Sequence, residues 1–205
     1  MDADHPSLRT GCIVGDRLIV LDRRASRYFA VPHDSSTVTR IPAPPDHQVE
    51  LLSWVDERPP RRDNARITWV VRAQTAAAAT GTAAKPATLF QLWREERRAA
   101  RRLRAGIGAG LDLLASVARG EERPRAQQAL VTASWRARRL WSAEDRCLPR
   151  SIALARVLRA EGSGAKLVLG VTGQPFAAHA WVQDGDVVLN DTLDHVRLFM
   201  PLLIA

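Results

Sequence analysis

Apolar residues arrive first in short runs. Cys12-Ile13-Val14 and Leu18-Ile19-Val20-Leu21 are separated by Gly15-Asp16-Arg17, a combination that suits a tight hairpin turn. After a polar turn from Asp22 to Arg27, a third run, Tyr28-Phe29-Ala30-Val31, stops at Pro32. The spacing predicts a three-stranded meander, with Cys12 buried on its first strand, where a free cysteine packs as a small hydrophobe. Pro32 to Pro45 is polar and proline-rich and reads as irregular. Val49, Leu52 and Val55 then recur at spacing three behind Asp46, a candidate N-cap, and predict a short helix over 46–56 that Pro59-Pro60 ends. Ile67 to Arg72 suits either strand or helix. Ala73 to Pro86, made mostly of Ala, Thr and Gly, can bury little apolar area and reads as a linker.

Beyond the linker the period lengthens. Leu89, Leu92, Trp93 and Leu103 mark a helix over Leu89 to Leu103 among many arginines. Gly106, Gly108 and Gly110 interrupt before Leu111 to Val117. Pro124 to Trp141 reads as another helix, with Leu130, Ser134 and Trp141 near one face and Trp135 and Trp141 as core fillers. Cys147-Leu148-Pro149 opens a strongly helical run in which Ile152, Leu154, Ala155, Val157 and Leu158 are spaced to bury one face. Pro149 falls in its first turn, where a missing N–H is harmless, and Gly162 ends it. Lys166 to Val171 reads as a buried strand and His179 to Val182 as a second. Val187 to Asp191 returns from a hairpin signal at Asp184-Gly185-Asp186. These elements predict an α+β protein of two domains, residues 1–85 and 86–205.

Composition narrows the class. With 46% hydrophobic and 25% charged residues the chain is globular rather than disordered. It holds no apolar run of the roughly 20 residues a bilayer demands, and Met1 to Pro6 is no secretory signal. The expectation is a cytoplasmic protein without a membrane partner. A net charge of +8 invites a nucleic-acid reading, but lysine occurs only at Lys85 and Lys166 and the arginines are mostly scattered in an alanine-rich chain. Genomic base composition explains that bias as well, and no nucleic-acid partner is expected. Cys12 and Cys147 form no metal-ligand spacing and are too few for a disulfide framework, so each should be a free thiol. The glycines at 106, 108 and 110 lack a preceding strand, a GKS or GKT tail and a GxGxxG pattern, so no phosphate loop is read there. No bound cofactor is evident.

One group of residues carries chemistry. Cys147 falls at or just before a helix N-terminus, where free N–H groups and the positive end of the macrodipole favour the thiolate. His179 begins one strand and Asp191 ends the next. Counting outward from Gly185 gives six residues each way, 185 − 179 and 191 − 185, which would make the pair close cross-strand neighbours. A thiolate, an imidazole to take and return its proton, and a carboxylate to orient the imidazole are the parts of nucleophilic thiol catalysis. Trp181 shares a face with His179 and reads as core. His195, four residues after Asp191, stands in an apparent loop and is set behind His179 as the base.

This order of helix-borne Cys and strand-borne His and Asp resembles the transglutaminase-like papain superfamily. More narrowly, Cys147-Leu148-Pro149-Arg150-Ser151, Ala178-His179-Ala180-Trp181-Val182 and Val188-Leu189-Asn190-Asp191 are similar to the motifs of lasso-peptide leader peptidases, over about residues 90 to 205. The resemblance implies a transglutaminase-like, papain-like α+β domain over 86–205, with Cys147, His179 and Asp191 as its catalytic residues. It implies removal of the leader from a ribosomally made lasso-peptide precursor, before an asparagine-synthetase-like partner closes a macrolactam. ATP consumption is implied by the resemblance alone. Some relatives carry a fused N-terminal leader-binding domain that resembles a small quinone-cofactor chaperone fold, winged-helix-like, with three strands and then three helices. Residues 11–31 fit its strands, whereas Pro42, Pro44, Pro45, Pro59 and Pro60 interrupt its helical part. Tyr28, Phe29, Ala30 and Val31 would then form the substrate-binding edge to which the leader adds as a strand. Acyl transfer to an amine and a non-catalytic peptide-binding scaffold are the competing readings.

Overall fold

The computed structural model describes residues 9–32, 85–140, 146–185 and 187–205. The expected helix at 46–56, the stretch 67–72 and nearly all of the expected linker lie outside them. The expected boundary between residues 85 and 86 falls where the description resumes.

The meander forms as its pattern predicts. Strands β1 (Arg9–Val14), β2 (Arg17–Asp22) and β3 (Arg27–Pro32) pair antiparallel in the order β1-β2-β3. Gly15 turns the first corner at φ +62°, a conformation glycine adopts without a Cβ penalty. At the second corner the Asp22 carboxylate accepts the backbone N–H groups of Arg24 and Ala25 at 2.9 and 2.8 Å. Cys12, Ile19 and Leu21 project from one face of the meander into the same hydrophobic core as Ile152 and Leu154, with Val14 and Tyr28 packed against it.

Four helices follow: α1 (Pro86–Leu103), α2 (Ile107–Ala115), α3 (Pro124–Leu140) and α4 (Cys147–Ala160). Proline in its first turn lets α1 begin ahead of its first large apolar residue, Leu89. Only Gly106 interrupts before α2, since Gly108 and Gly110 lie inside that helix. Their role is close approach. A Cβ on Gly110 would stand 2.6 Å from Leu103 Cδ2 and 3.1 Å from Ile152 Cδ1, so those side chains would have to shift to admit it.

Helix α4 was expected to bury one face, but every residue from Ser151 to Leu158 is buried. The other helices pack around it, and strands β4 and β5 of the second sheet flank it as well. One of its buried residues is charged. Arg156 Nε donates to Glu95 Oε2 at 3.1 Å, and its Nη1 donates to the Leu113 carbonyl and, at 3.2 Å, to Ser116 Oγ. That group joins α1, α2 and α4. The helix ends as a Schellman turn: Gly162, at φ +78°, donates to the Arg159 carbonyl and Ser163 to the Leu158 carbonyl, both at 3.0 Å.

The second sheet contains β4 (Lys166–Val171), β5 (Ala178–Asp184), β6 (Val187–Val188) and β7 (Met200–Ile204), antiparallel in the order β6-β5-β4-β7. Alternation divides its side chains. Leu167, Leu169, Val171, Ala180 and Val182 enter the main core, while Val168 and Trp181 form a smaller cluster with Val188, Val196 and Phe199 on the opposite face. Trp181 is fully buried, in keeping with its expected core role.

Two parts of this region depart from the pattern. Strand β7 and the one-turn helix α5 (Leu193–Val196) were not anticipated. The returning strand is shorter than the expected 187–191: it pairs only Val187 and Val188, and the chain then leaves the ladder. One backbone bond remains, from the Leu189 N–H to the Val182 carbonyl at 2.9 Å, and the Asn190 side chain replaces its return partner, Oδ1 accepting the Val182 N–H at 2.7 Å.

Candidate active site

Cys147 is the first residue of α4. No side chain caps this end and no acidic residue occupies its first turn, so the positive pole of the helix is not neutralised locally. The sulfur accepts the backbone N–H groups of Ala180 and Leu148 and hydrogen-bonds the His179 ring. Burial pushes the thiol up, but these hydrogen bonds and the imidazolium charge outweigh it and hold Cys147 below its ordinary range. Cys12 is the contrast. It is 6% exposed in the core, and burial pushes it up to about 11.

His179 lies opposite Gly170 near the start of β5. Its Nε2 is 2.6 Å from Asp191 Oδ2, which leaves Nδ1 as the ring nitrogen for the sulfur. Burial disfavours the imidazolium, but the Asp191 hydrogen bond and the sulfur outweigh it and raise His179 to about 9. Burial also opposes the charge on Asp191, which is 3% exposed. Hydrogen bonds from His179, His195 and the Thr192 N–H, with the Arg138 charge, hold its carboxyl well below the usual carboxylate range. The three expected residues are thus brought together.

The carboxylate reaches this position from a loop rather than a strand. Because Asp184 pairs with Val187 and Gln183 with Val188, the hairpin register runs one residue off a symmetric count about Gly185. Side chains hold the loop instead. Asn190 Nδ2 donates to Ser151 Oγ at 2.9 Å, and Ser151 donates onward to the Ala180 carbonyl at 2.9 Å. Trp135 Nε1 donates to the Leu189 carbonyl at 2.7 Å, and Arg138 Nη1 reaches the Asn190 carbonyl at 2.9 Å and Asp191 Oδ1 at 3.1 Å. Helix α3 therefore holds the loop carbonyls of Leu189 and Asn190, and α4 holds the Asn190 side chain through Ser151.

Sequence reasoning set His195 aside as a loop residue. It stands instead on α5, with Nδ1 3.0 Å from the same Asp191 oxygen and its ring centroid 4.6 Å from that of His179. Phe199 packs against both rings. Ser151, Arg138 and Asn190 were also overlooked. A signal existed for Ser151, which follows Cys147 by four residues and so shares its helix face.

A cavity of about 440 Å³ opens beside the sulfur between α1, α3 and α4. Leu92, Ala137 and Leu154 give it apolar walls, with Glu96, Arg138 and Arg150 as charged lining. His179, Asp191 and His195 each place a donor atom within 4.8 Å of the others, a set that can meet a divalent ion. The 2.6 Å separation of His179 and Asp191 suits a charge-assisted hydrogen bond. Gly106, Gly108 and Gly110 follow a helix, with Gly108 against the Arg23 carbonyl and Gly110 against Leu103 and Ile152, so this segment forms no phosphate cradle. Tyr28 packs close to the site, whereas Ala30 is exposed and Phe29 and Val31 are half-buried. Among the described residues no helix is long and apolar enough to cross a membrane.

Residues 67–203 match the family model of the Transglutaminase-like superfamily. A 45-residue segment is 49% identical to the Microcin J25-processing protein McjB of Escherichia coli and covers 22% of this chain and 22% of that protein. No solved structure matches the chain significantly.

Proposed function

The chain belongs to the transglutaminase-like superfamily, and from that premise we propose that it is a cysteine peptidase that removes the leader from a ribosomally made lasso-peptide precursor. The observation that carries the chemistry is the chain of contacts from an uncapped helix start through Cys147 and His179 to Asp191. The substrate rests on the similarity to a microcin-processing protein and on the motifs around the three residues.

In this reading the Cys147 thiolate adds to the scissile carbonyl, and the His179 imidazolium gives its proton to the departing amine, leaving an acyl-enzyme. His179, now neutral, takes a proton from water as that water attacks the thioester, and the sulfur departs as the thiolate. Asp191 keeps Nε2 engaged so that Nδ1 faces the sulfur throughout. An asparagine-synthetase-like cyclase would receive the freed amine. No step here draws on ATP.

The test is precursor processing with partner proteins supplied. The Cys147→Ala chain should bind the precursor and leave it uncut, and leader removal by that variant at the normal rate would overturn the reading. Mass spectrometry of the products distinguishes a free acid at the cleaved carbonyl from an amide formed with an added amine, the product of acyl transfer.

A further inference from the structure

We propose that His195 is a positioning residue of the peptidase site: from the one-turn helix α5 it holds the Asp191 oxygen that orients the His179 ring, so that His179 keeps its alignment as a base once it is uncharged. This rests on the peptidase reading above and deepens it by adding a second imidazole to the machinery.

The buried Asp191 carboxylate meets two donors on each oxygen. Oδ1 takes the Thr192 N–H at 2.7 Å and Arg138 Nη1 at 3.1 Å. Among the described residues the donors to Oδ2 are two imidazoles, His179 through Nε2 at 2.6 Å and His195 through Nδ1 at 3.0 Å. Because the carboxyl is held well below the usual carboxylate range, it only accepts, and Nδ1 of His195 carries the proton between them. With so little of Asp191 exposed, water is a poor replacement for a lost donor.

His195 owes its place to the start of its own short element. The Thr192 N–H binds the carboxylate while Thr192 Oγ1 accepts the His195 N–H at 3.3 Å. That cap starts α5 and brings residue 195 back over residue 191, four positions earlier. Phe199 then sets the ring edge-on, with centroids 5.4 Å apart, and lies 5.0 Å from the His179 ring. The two imidazoles are themselves 4.6 Å apart. Asp191 needs such an anchor because it stands beyond the last paired residue of its strand, Val188.

The demand is greatest after the acyl-enzyme forms. While His179 is charged, its bond to Asp191 is charge-assisted from both sides. Once the proton has left, that bond weakens, yet the ring must still aim Nδ1 at the attacking water. An Oδ2 already fixed by His195 keeps Nε2 engaged through that step.

p-Nitrophenyl acetate separates the two half-reactions on the full-length chain. The Cys147 sulfur takes the acetyl group and releases p-nitrophenolate in a burst. Water then attacks the thioester, giving one proton to His179, and acetate leaves as the sulfur departs as thiolate. His195→Leu keeps an apolar side chain against Phe199, and should lower the deacylation rate by roughly tenfold more than the burst rate. His195→Asn, whose amide nitrogen takes the place of Nδ1, should return the ratio of the two rates to near wild type. The His195 side chain is 41% exposed, so neither substitution opens the core. A general disturbance of the site would depress both phases together. An unchanged ratio in His195→Leu, or a ratio as low in His195→Asn as in His195→Leu, would overturn the proposal. Nitrophenolate release that persists at the wild-type rate in Cys147→Ala would instead sink the peptidase reading, and this proposal with it.

Discussion

Asp191 meets His179 through a single oxygen at 2.6 Å, although the strand before it ends at Val188. The contact depends on a side-chain scaffold, so removing the charge while keeping the shape is a clean test. Asp191→Asn should fold normally by circular dichroism and lose roughly 10²- to 10⁴-fold in leader cleavage, because the amide cannot hold the imidazole in the same tautomer. Cleavage within threefold of wild type would remove Asp191 from the mechanism.

The pH dependence follows from the directions of the shifts. Cys147 is lowered and His179 is raised to about 9, so both shifts favour the thiolate–imidazolium pair. Leader cleavage should fall as pH rises past about 9, where the proton donor is lost. Stability should follow the same group. A folded pKa above the unfolded value contributes fully below the ordinary imidazole range of about 6.5 and is lost as pH rises through about 9. Asp191 runs the other way: its contribution is present above the ordinary carboxylate range and is lost as pH falls through its lower folded value. The urea midpoint of wild type should therefore drop from neutral to alkaline pH, and His179→Gln should lack that part of the drop.

The two cysteines should separate completely in a labelling experiment. Near neutral pH, iodoacetamide should modify Cys147 and spare Cys12, which burial pushes up to about 11. In the Cys147→Ala chain, native protein should take no label, and urea should expose Cys12 to it. Peptide mapping of the alkylated residue gives the answer, and rapid labelling of native Cys12 would contradict the buried placement.

The Glu95–Arg156 pair should be costly to break from one side. Arg156→Met leaves the buried Glu95 carboxylate with only the exposed Arg94 at 3.7 Å and should destabilise the fold by up to about 3–5 kcal/mol in urea unfolding, with Glu95→Leu in the same chain restoring part of the loss. An Arg156→Met midpoint equal to wild type would show that the pair adds nothing.

Some of these features could be read from the sequence because they rest on local rules. The hairpin at Gly15, the Cys147 helix start and the Gly162 stop each follow from a few neighbouring residues. Other features depend on distant partners. Gly108 and Gly110 read as breakers until Arg23, Leu103 and Ile152 approach them. Strand β7 contains Pro201 and lacks alternation, and its partner β4 lies some thirty residues earlier. The count about Gly185 placed His179 and Asp191 near each other, yet Asp184 pairing with Val187 shifts the register by one and the Asn190 side chain replaces a backbone bond of the ladder. His195 was missed for a similar reason: Thr192 caps a single helical turn that swings it back onto Asp191, and so short a turn leaves no periodic trace.

The enclosure of α4 determines where this protein can change. In the proposed reading the nucleophile is fastened to an element enclosed on all sides, so adaptation to a new peptide falls to the segments around it, such as the residues flanking His195 on its turn and the α3 residues that line the cavity. Variant libraries confined to those segments could explore altered cleavage preferences while the sulfur stays in register with its proton donor.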